Sequence, residues 1–280
     1  MWFVKDGGVA VAGLGISLML GGVSMSLCNL YMWKGATLSF YVGGGILMIL
    51  SILAASAHWH TMTTDPGTVP KDVIVLSVNS EQENDEWSYL NEEIGILYCE
   101  LCDANRPKCA THCDSCNNCI VMMDHHCPWV NNCVGIGTLK NFILLLVYLP
   151  TTCIFMGALT IWQVTSCPKD CGFQQEMQPG KSGVAIMAIG FIFGVLCFIM
   201  IILEMFSIHY DERLAWIVHK IHDRRLKDIT MHHRFGVIFG SDRFQWHWLI
   251  PSHNVHQSRS NADLEIIMGY CLPHKSSSQE

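Results

Sequence analysis

Four stretches of the chain carry no Asp, Glu, Lys, Arg or His: Gly8 to Trp33, Ala36 to Ala57, Asn141 to Ser166 and Gly183 to Leu203. Each reaches the ~20 residues that a helix needs to cross the hydrocarbon core of a bilayer. The pattern predicts four transmembrane helices. Buried core helices are the alternative reading, but four separate uncharged runs of this length in one short chain argue against it. The first run also exceeds the ~7 to 15 apolar residues of a signal peptide and follows both Lys5 and Asp6, so it is read as a span rather than a cleaved leader. The expected fold class is an all-α polytopic membrane protein.

Composition agrees, since 50% of residues are hydrophobic and 15% charged, against about 25% charged in soluble domains. The net charge of -7 has its acidic excess largely in Glu81 to Glu93, which reads as a solvated loop, and nothing suggests a nucleic-acid partner. Four spans put both termini on one side with the long connection from His58 to Lys140. Lys and Arg divide fourteen to three in favour of that side, with Arg213, Lys220, Arg224, Arg225 and Lys227 close behind the fourth span, so it is expected to be cytosolic. Cys167 and Cys171 fall opposite, where an oxidising lumen would permit a disulfide and the intervening Pro168 weighs against one. In the tail, Leu214, Ile217, Val218 and Ile221 recur at helical spacing, which fits a helix on an anionic leaflet or one packed on the loop domain. The aromatic stretches Arg234 to Gly240 and Trp246 to Pro251 are expected to fold back against the bilayer, and Lys275 to Glu280 to be disordered.

Eight of the fourteen cysteines fall between Cys99 and Cys133. A reducing compartment disfavours disulfides there, leaving metal binding or catalysis. The spacing is Cys99-x2-Cys102, His112-Cys113-x2-Cys116-x2-Cys119, His125-His126-Cys127 and Cys133, and paired thiolates on one tight turn suit a tetrahedral zinc ion. Two sites of three Cys and one His would leave one His and two Cys over. Adjacent His112 and Cys113 point in different directions, so they are assigned to two interleaved sites. In an extended stretch His125 and Cys127 share a face while His126 points away. A Cys two residues from a His has the nucleophile and base of acyl transfer, with Asp124 able to orient the imidazole. The alternative is that every Cys and His in the segment is structural.

The run Asp124-His125-His126-Cys127-Pro128-Trp129-Val130-Asn131-Asn132-Cys133-Val134-Gly135 resembles the signature of the DHHC-type zinc-binding protein S-acyltransferases, the palmitoyltransferases. The resemblance covers Cys99 to Phe142 and extends to Asp65-Pro66-Gly67, a tripeptide that also reads as a plain type II turn. It implies one structural zinc on Cys99, Cys102, His112 and Cys119, and a second on Cys113, Cys116, His126 and Cys133. It further implies Cys127 as nucleophile, His125 as its base and Asp124 as the residue that orients His125. Trp129, next to the nucleophile, is expected to contact the acyl chain or the interface.

The implied donor is acyl-CoA (palmitoyl-CoA) and the implied partners are membrane-associated proteins with cytosolic cysteines. The setting is the bilayer of the Golgi, endoplasmic reticulum or plasma membrane. Four departures stand out: Cys109 where the family usually has Arg, Thr138 where it has Asn, no evident Thr-Thr-x-Glu behind the fourth span, and Arg234 near the place of an expected Asn. Cys109 reads as a small replacement, so that Cys109→Arg is expected to be tolerated or mildly stabilising.

The expected organisation is therefore transmembrane helices 1 and 2 in 1–60, a linker in 61–98, a cytosolic cysteine-rich two-zinc domain in 99–139 between helices 2 and 3, helices 3 and 4 in 140–208, and a cytosolic tail in 209–280. The expected activity is protein S-acyl transfer through an acyl-cysteine. A catalytically silent zinc-bearing membrane adaptor is the alternative. A membrane ubiquitin ligase with a cross-braced zinc domain is a third option, disfavoured because the spacing lacks a closing Cys-x2-Cys.

Overall fold

The structure, a computed structural model, describes residues 2, 4, 7–73, 96–166, 179–222, 229–253, 256 and 259–271. Among these, four helices are long and apolar enough to cross a membrane, which fits a multi-pass membrane protein. They are α1 (Gly8–Lys34), α2 (Leu38–Thr63), α3 (Leu139–Ser166) and α4 (Pro179–Tyr210). Their outer faces carry exposed apolar side chains such as Ile49, Ile154, Phe191 and Phe198, as lipid contact requires. Within the bundle α3 packs on both α2 and α4. A small cluster of Val23, Leu47 and Met156 fills the space between α1, α2 and α3. Of the glycines in the first two spans, Gly43 and Gly44 permit the closest approach, since a Cβ there would lie 3.4 Å from Leu30 and 3.3 Å from Leu27.

Helix α2 continues beyond the charge-free run that predicted it, through His58 and His60 to Thr63. Two imidazoles at the end of a span are tolerated because the protein covers them there: His58 is 8% exposed. At the opposite end Trp33 and Trp162 meet edge to face at 4.8 Å, with the Lys34 ammonium 3.8 Å from the Trp33 ring. Aromatic rings beside a cation mark a membrane boundary.

Between α2 and α3 the chain forms three two-stranded antiparallel ribbons: β1 (Ile96–Cys99) with β2 (Ala104–Pro107), β3 (Ala110–Cys113) with β4 (Asn118–Val121), and β5 (His125–Cys127) with β6 (Asn132–Val134). Their tight turns put Asp103, Asn117 and Asn131 at φ of 53°, 52° and 50°, the left-handed region that Asn and Asp tolerate best among side-chain-bearing residues. Asp65 Oδ1 accepts from the Gly67 and Thr68 amides at 2.9 and 2.8 Å. Gly67, at φ +104°, then lets the turn pass Ile136, which any Cβ would meet at 2.7 Å. This turn lies against β4 and ties the end of α2 to the ribbons through Val121 N to Gly67 O and Val69 N to Cys119 O.

The tail supplies α5 (Glu212–Ile221), α6 (Met231–Phe239) and α7 (Asn261–Met268). Asp211 caps α5, accepting from the Leu214 amide at 3.1 Å. Leu214, Ile217 and Val218 are buried in the main core with Val237, Ile238, Ile267, Val134 and Phe142. The amphipathic stretch therefore packs on protein rather than lying on a leaflet. The N-terminal residues and the tail both meet this part of the molecule: Trp2 Nε1 donates to Asn132 Oδ1 at 2.9 Å, and Asn141 Nδ2 donates to the Ser252 carbonyl at 2.8 Å. The stretch Trp246 to Pro251 lies beside α3, where the Tyr148 hydroxyl donates to the Leu249 carbonyl at 2.6 Å. The acidic loop Glu81 to Glu93, Cys167 with Cys171, the cations Arg224, Arg225 and Lys227, and the segment Lys275 to Glu280 lie outside the described residues.

Candidate active site and metal centres

The ribbon registers bring eight of the sequence-derived site residues together in two sets of four. His112 pairs across the ribbon with Cys119, and His126 pairs with Cys133. The Cys99-x2-Cys102 turn joins the first pair and the Cys113-x2-Cys116 turn joins the second, so that the ligand atoms in each set lie within 4.8 Å of one another. In the first, His112 Nδ1 stands 3.5, 3.2 and 3.9 Å from the sulfurs of Cys99, Cys102 and Cys119. In the second, His126 Nδ1 stands 3.7, 3.5 and 3.6 Å from those of Cys113, Cys116 and Cys133. A tetrahedral zinc with bonds of ~2.3 Å to sulfur and ~2.0 Å to nitrogen has ligand-to-ligand edges of about 3.5 to 3.8 Å. Both sets could hold a metal ion, and their donors and spacings are consistent with zinc. Neighbouring His112 and Cys113 on β3 serve different sets.

Strand β5 separates the remaining residues by its two-residue period. His126 belongs to the second cluster, while His125 donates from Nδ1 to Asp124 Oδ2 at 2.6 Å and is also hydrogen-bonded to Cys127. The bond to Asp124, then that to Cys127, pushes the His125 imidazole up to about 10 against the opposing effect of burial. Cys127 is 6% exposed. The Phe142 ring lies 5.5 Å from the imidazole, edge on, and leaves the ring little room to turn. A thiol, a strongly basic imidazole and a carboxylate in line are the components of a nucleophile, its base and the group that orients the base.

Several buried polar groups fix this line against the bundle. Asn132, fully buried, donates from Nδ2 to the Thr61 and Thr64 carbonyls at 2.9 and 2.8 Å, and its Oδ1 accepts from the Cys133 amide. Asn131 Nδ2 donates to the Val4 carbonyl at 2.7 Å. His58 Nε2 donates to the Trp129 carbonyl at 2.9 Å. The Trp129 side chain reaches Phe193 of α4, ring centroids 5.8 Å apart, which puts it against a span. Thr138 accepts from the Gly135 amide at 3.1 Å and donates to the Cys133 carbonyl at 2.8 Å, so its short hydroxyl holds the turn into α3.

Three residues outside the line were not singled out by the sequence for supporting it, two beside it and one in the tail. Glu204, on α4 and 3% exposed, interacts electrostatically with both Asp124 and His125. Its signal was available, because it is the first acid after the fourth uncharged run. Arg213 grips Asp211 at 2.8 Å, and its charge reaches Asp124 and Cys109. Arg234 donates to the Ile208 and Asp211 carbonyls. It thereby fastens the tail to the end of α4. Cys109, by contrast, is buried, and burial pushes its thiol up to about 11; it belongs to neither metal set.

Residues 92–213 match the family model described as DHHC palmitoyltransferase. The chain is 30% identical over 168 residues to Palmitoyltransferase ZDHHC7 of Rattus norvegicus, covering 60% of this chain and 53% of the relative. It is 31% identical over 150 residues to Palmitoyltransferase ZDHHC3 of Homo sapiens, covering 53% and 48%. It is also 28% identical over 250 residues to Probable protein S-acyltransferase 13 of Arabidopsis thaliana, covering 85% and 78%. The chain thus spans about half the length of the two mammalian relatives.

Proposed function

We propose that this chain, which carries a DHHC palmitoyltransferase domain, is a membrane-embedded enzyme that moves a long-chain acyl group from acyl-CoA to cysteine thiols of proteins. The observation that carries the reading is the hydrogen-bonded line from Asp124 through His125 to Cys127 beside the bundle. In the first step His125 takes the Cys127 proton and the thiolate attacks the thioester carbonyl. A new C–S bond forms to Cys127, the bond to the CoA sulfur breaks, and that sulfur leaves with the proton from His125. In the second step a substrate thiol gives its proton to His125 and attacks the acyl-enzyme, and the regenerated Cys127 recovers the proton. Each step exchanges one thioester for another, so positioning dominates over driving force.

Asp124 keeps the imidazole oriented, and the Phe142 ring limits its rotation. The two Cys3His sets are proposed to hold structural zinc, which would lock the three ribbons that carry the line. The acyl chain is proposed to lie among the spans with Trp129 at its base, where each buried CH2 contributes about 0.8 kcal/mol. The positive-side bias supports a cytosolic active site and membrane-associated protein substrates.

The test is incubation of the purified chain with labelled palmitoyl-CoA, followed by neutral hydroxylamine. A hydroxylamine-labile label that disappears in Cys127→Ser, while two zinc ions per chain remain, is the expected result. A chain that takes no label while holding both metals would instead be an adaptor.

A further inference from the structure

A second group of polar side chains gathers at the same membrane level as the ribbons, where α2 ends and α3 begins. Lys140, the second residue of α3, is fully buried, and its Nζ makes one described hydrogen bond, to Ser252 Oγ at 3.3 Å. Around it stand His60 of α2, His253 and His256 of the tail, and Arg259. The His60 and His253 rings lie 4.1 Å apart, His253 Nδ1 is hydrogen-bonded to Thr64 at 2.8 Å, and the Lys140 charge acts on both His60 and His256. Arg259 pairs with Asp242 at 2.7 Å and donates to the Gly236 carbonyl at 2.8 Å.

The donors outnumber the acceptors. His60 Nδ1 and Arg259 Nε are buried without a hydrogen bond, and His256, its ring buried and facing the Ile136 carbonyl with one nitrogen, leaves its other nitrogen unsatisfied. The ammonium of Lys140 has three donors. The one carboxylate at the cluster, Asp242, is already taken by Arg259, and among the described residues none pairs with Lys140. A buried cation without a counter-charge costs several kcal/mol, and a set of unspent donors around it is the complement of an oxyanion. Burial, with Arg259 and Lys140 beside it, pushes the His256 imidazole down to about 4. An anion in the cluster would reverse that electrostatic strain.

Location selects the kind of anion. Thr63 ends α2 and Leu139 begins α3, so the cluster sits where spans leave the hydrocarbon. It reaches the surface at His253, which is exposed. The neighbouring tail stretch, anchored to α3 by Tyr148, leaves Trp246 77%, Leu249 41% and Ile250 56% exposed. Apolar side chains beside a cationic cluster are the two elements that hold a lipid by its chains and its headgroup.

We propose that Lys140, His60, His256 and Arg259 form a binding site for the phosphate of an anionic phospholipid, with Trp246, Leu249 and Ile250 against its acyl chains. The site does not depend on the acyl-transfer reading, and it would fasten the tail to the bundle through a lipid.

The test uses the full chain in nanodiscs of phosphatidylcholine, with and without phosphatidic acid, and in detergent with inorganic phosphate. Thermal unfolding and native mass spectrometry are the readouts. Phosphatidic acid is expected to raise the unfolding midpoint and to stay bound through detergent exchange, and Lys140→Met and His256→Gln are each expected to weaken its retention by about tenfold or more. Lys140→Met should also unfold at a higher temperature than the parent in phosphatidylcholine alone, because it removes the unpaired buried charge. Should Lys140→Met not fold, Lys140→Arg is expected to keep the lipid and His256→Gln to lose it. Equal retention by His256→Gln and the parent would overturn the site. A response to inorganic phosphate with none to phosphatidic acid would overturn the lipid assignment.

Discussion

Arg234 Nη1 donates to the Ile208 carbonyl at 2.9 Å and to the Asp211 carbonyl at 2.6 Å. Ile208 lies in the last turn of α4, where backbone carbonyls have no partner within the helix. A tail side chain that is 9% exposed thus satisfies the end of the fourth span. Arg234→Leu would leave both carbonyls bare, and a loss of about 1 to 3 kcal/mol is expected. Lowered thermal stability and lowered self-acylation, with metal content unchanged, would be measured together. Arg234→Lys should recover only part of each, since an ammonium lacks the planar spread of donors of guanidinium.

Asp124→Asn keeps the shape of the pair with His125 and removes its charge. Self-acylation by Cys127 should fall by about 10² to 10⁴-fold, the span usual for general base catalysis. Single-turnover labelling with palmitoyl-CoA measures it. An unchanged rate would remove Asp124 from the proposed mechanism.

Removal of Cys116 leaves the second set with three ligands. Metal analysis of Cys116→Ala should give well under one zinc per chain, because the first set is joined to the damaged one through His112 and Cys113. The same substitution should abolish labelling of Cys127, because His126 is next to the nucleophile and belongs to the damaged set.

Cys109 reverses an expectation drawn from the sequence alone. A return to Arg was expected to be tolerated, but the side chain is 6% exposed, and its sulfur lies 3.5 Å from where a Cβ on Gly269 would sit. The charge of Arg213 already acts on it. Cys109→Arg would force a second guanidinium into filled space, with a cost of about 1 to 3 kcal/mol for the overpacking alone. Cys109→Ser should retain both metals and full self-acylation. With its thiol held up at about 11 by burial, Cys109 should also resist alkylation at neutral pH in the native chain.

The features legible in the sequence were those whose signal is local. Uncharged runs gave the spans, and Cys-x2-Cys spacing together with the opposed faces of His112 and Cys113 gave two interleaved clusters. The end of α2 was not legible, because His58 and His60 read as polar punctuation until the covering protein is known. Nor was the role of Arg234, whose acceptors at Ile208 and Asp211 lie more than twenty residues away in the chain. Thr138 illustrates the same limit from the other direction: a shorter side chain at the place of an Asn still closes the turn by bonding Gly135 and Cys133.

A single peptide bond joins His112 of one metal set to Cys113 of the other. Neither set can spread without moving a ligand of its neighbour, so partial occupancy is disfavoured and the two ions should load and leave as a unit. Titration with a chelator would then populate doubly loaded and metal-free chains with little between them. Because His126 and Cys127 are likewise adjacent, acylation competence would respond to metal supply as a threshold rather than in proportion.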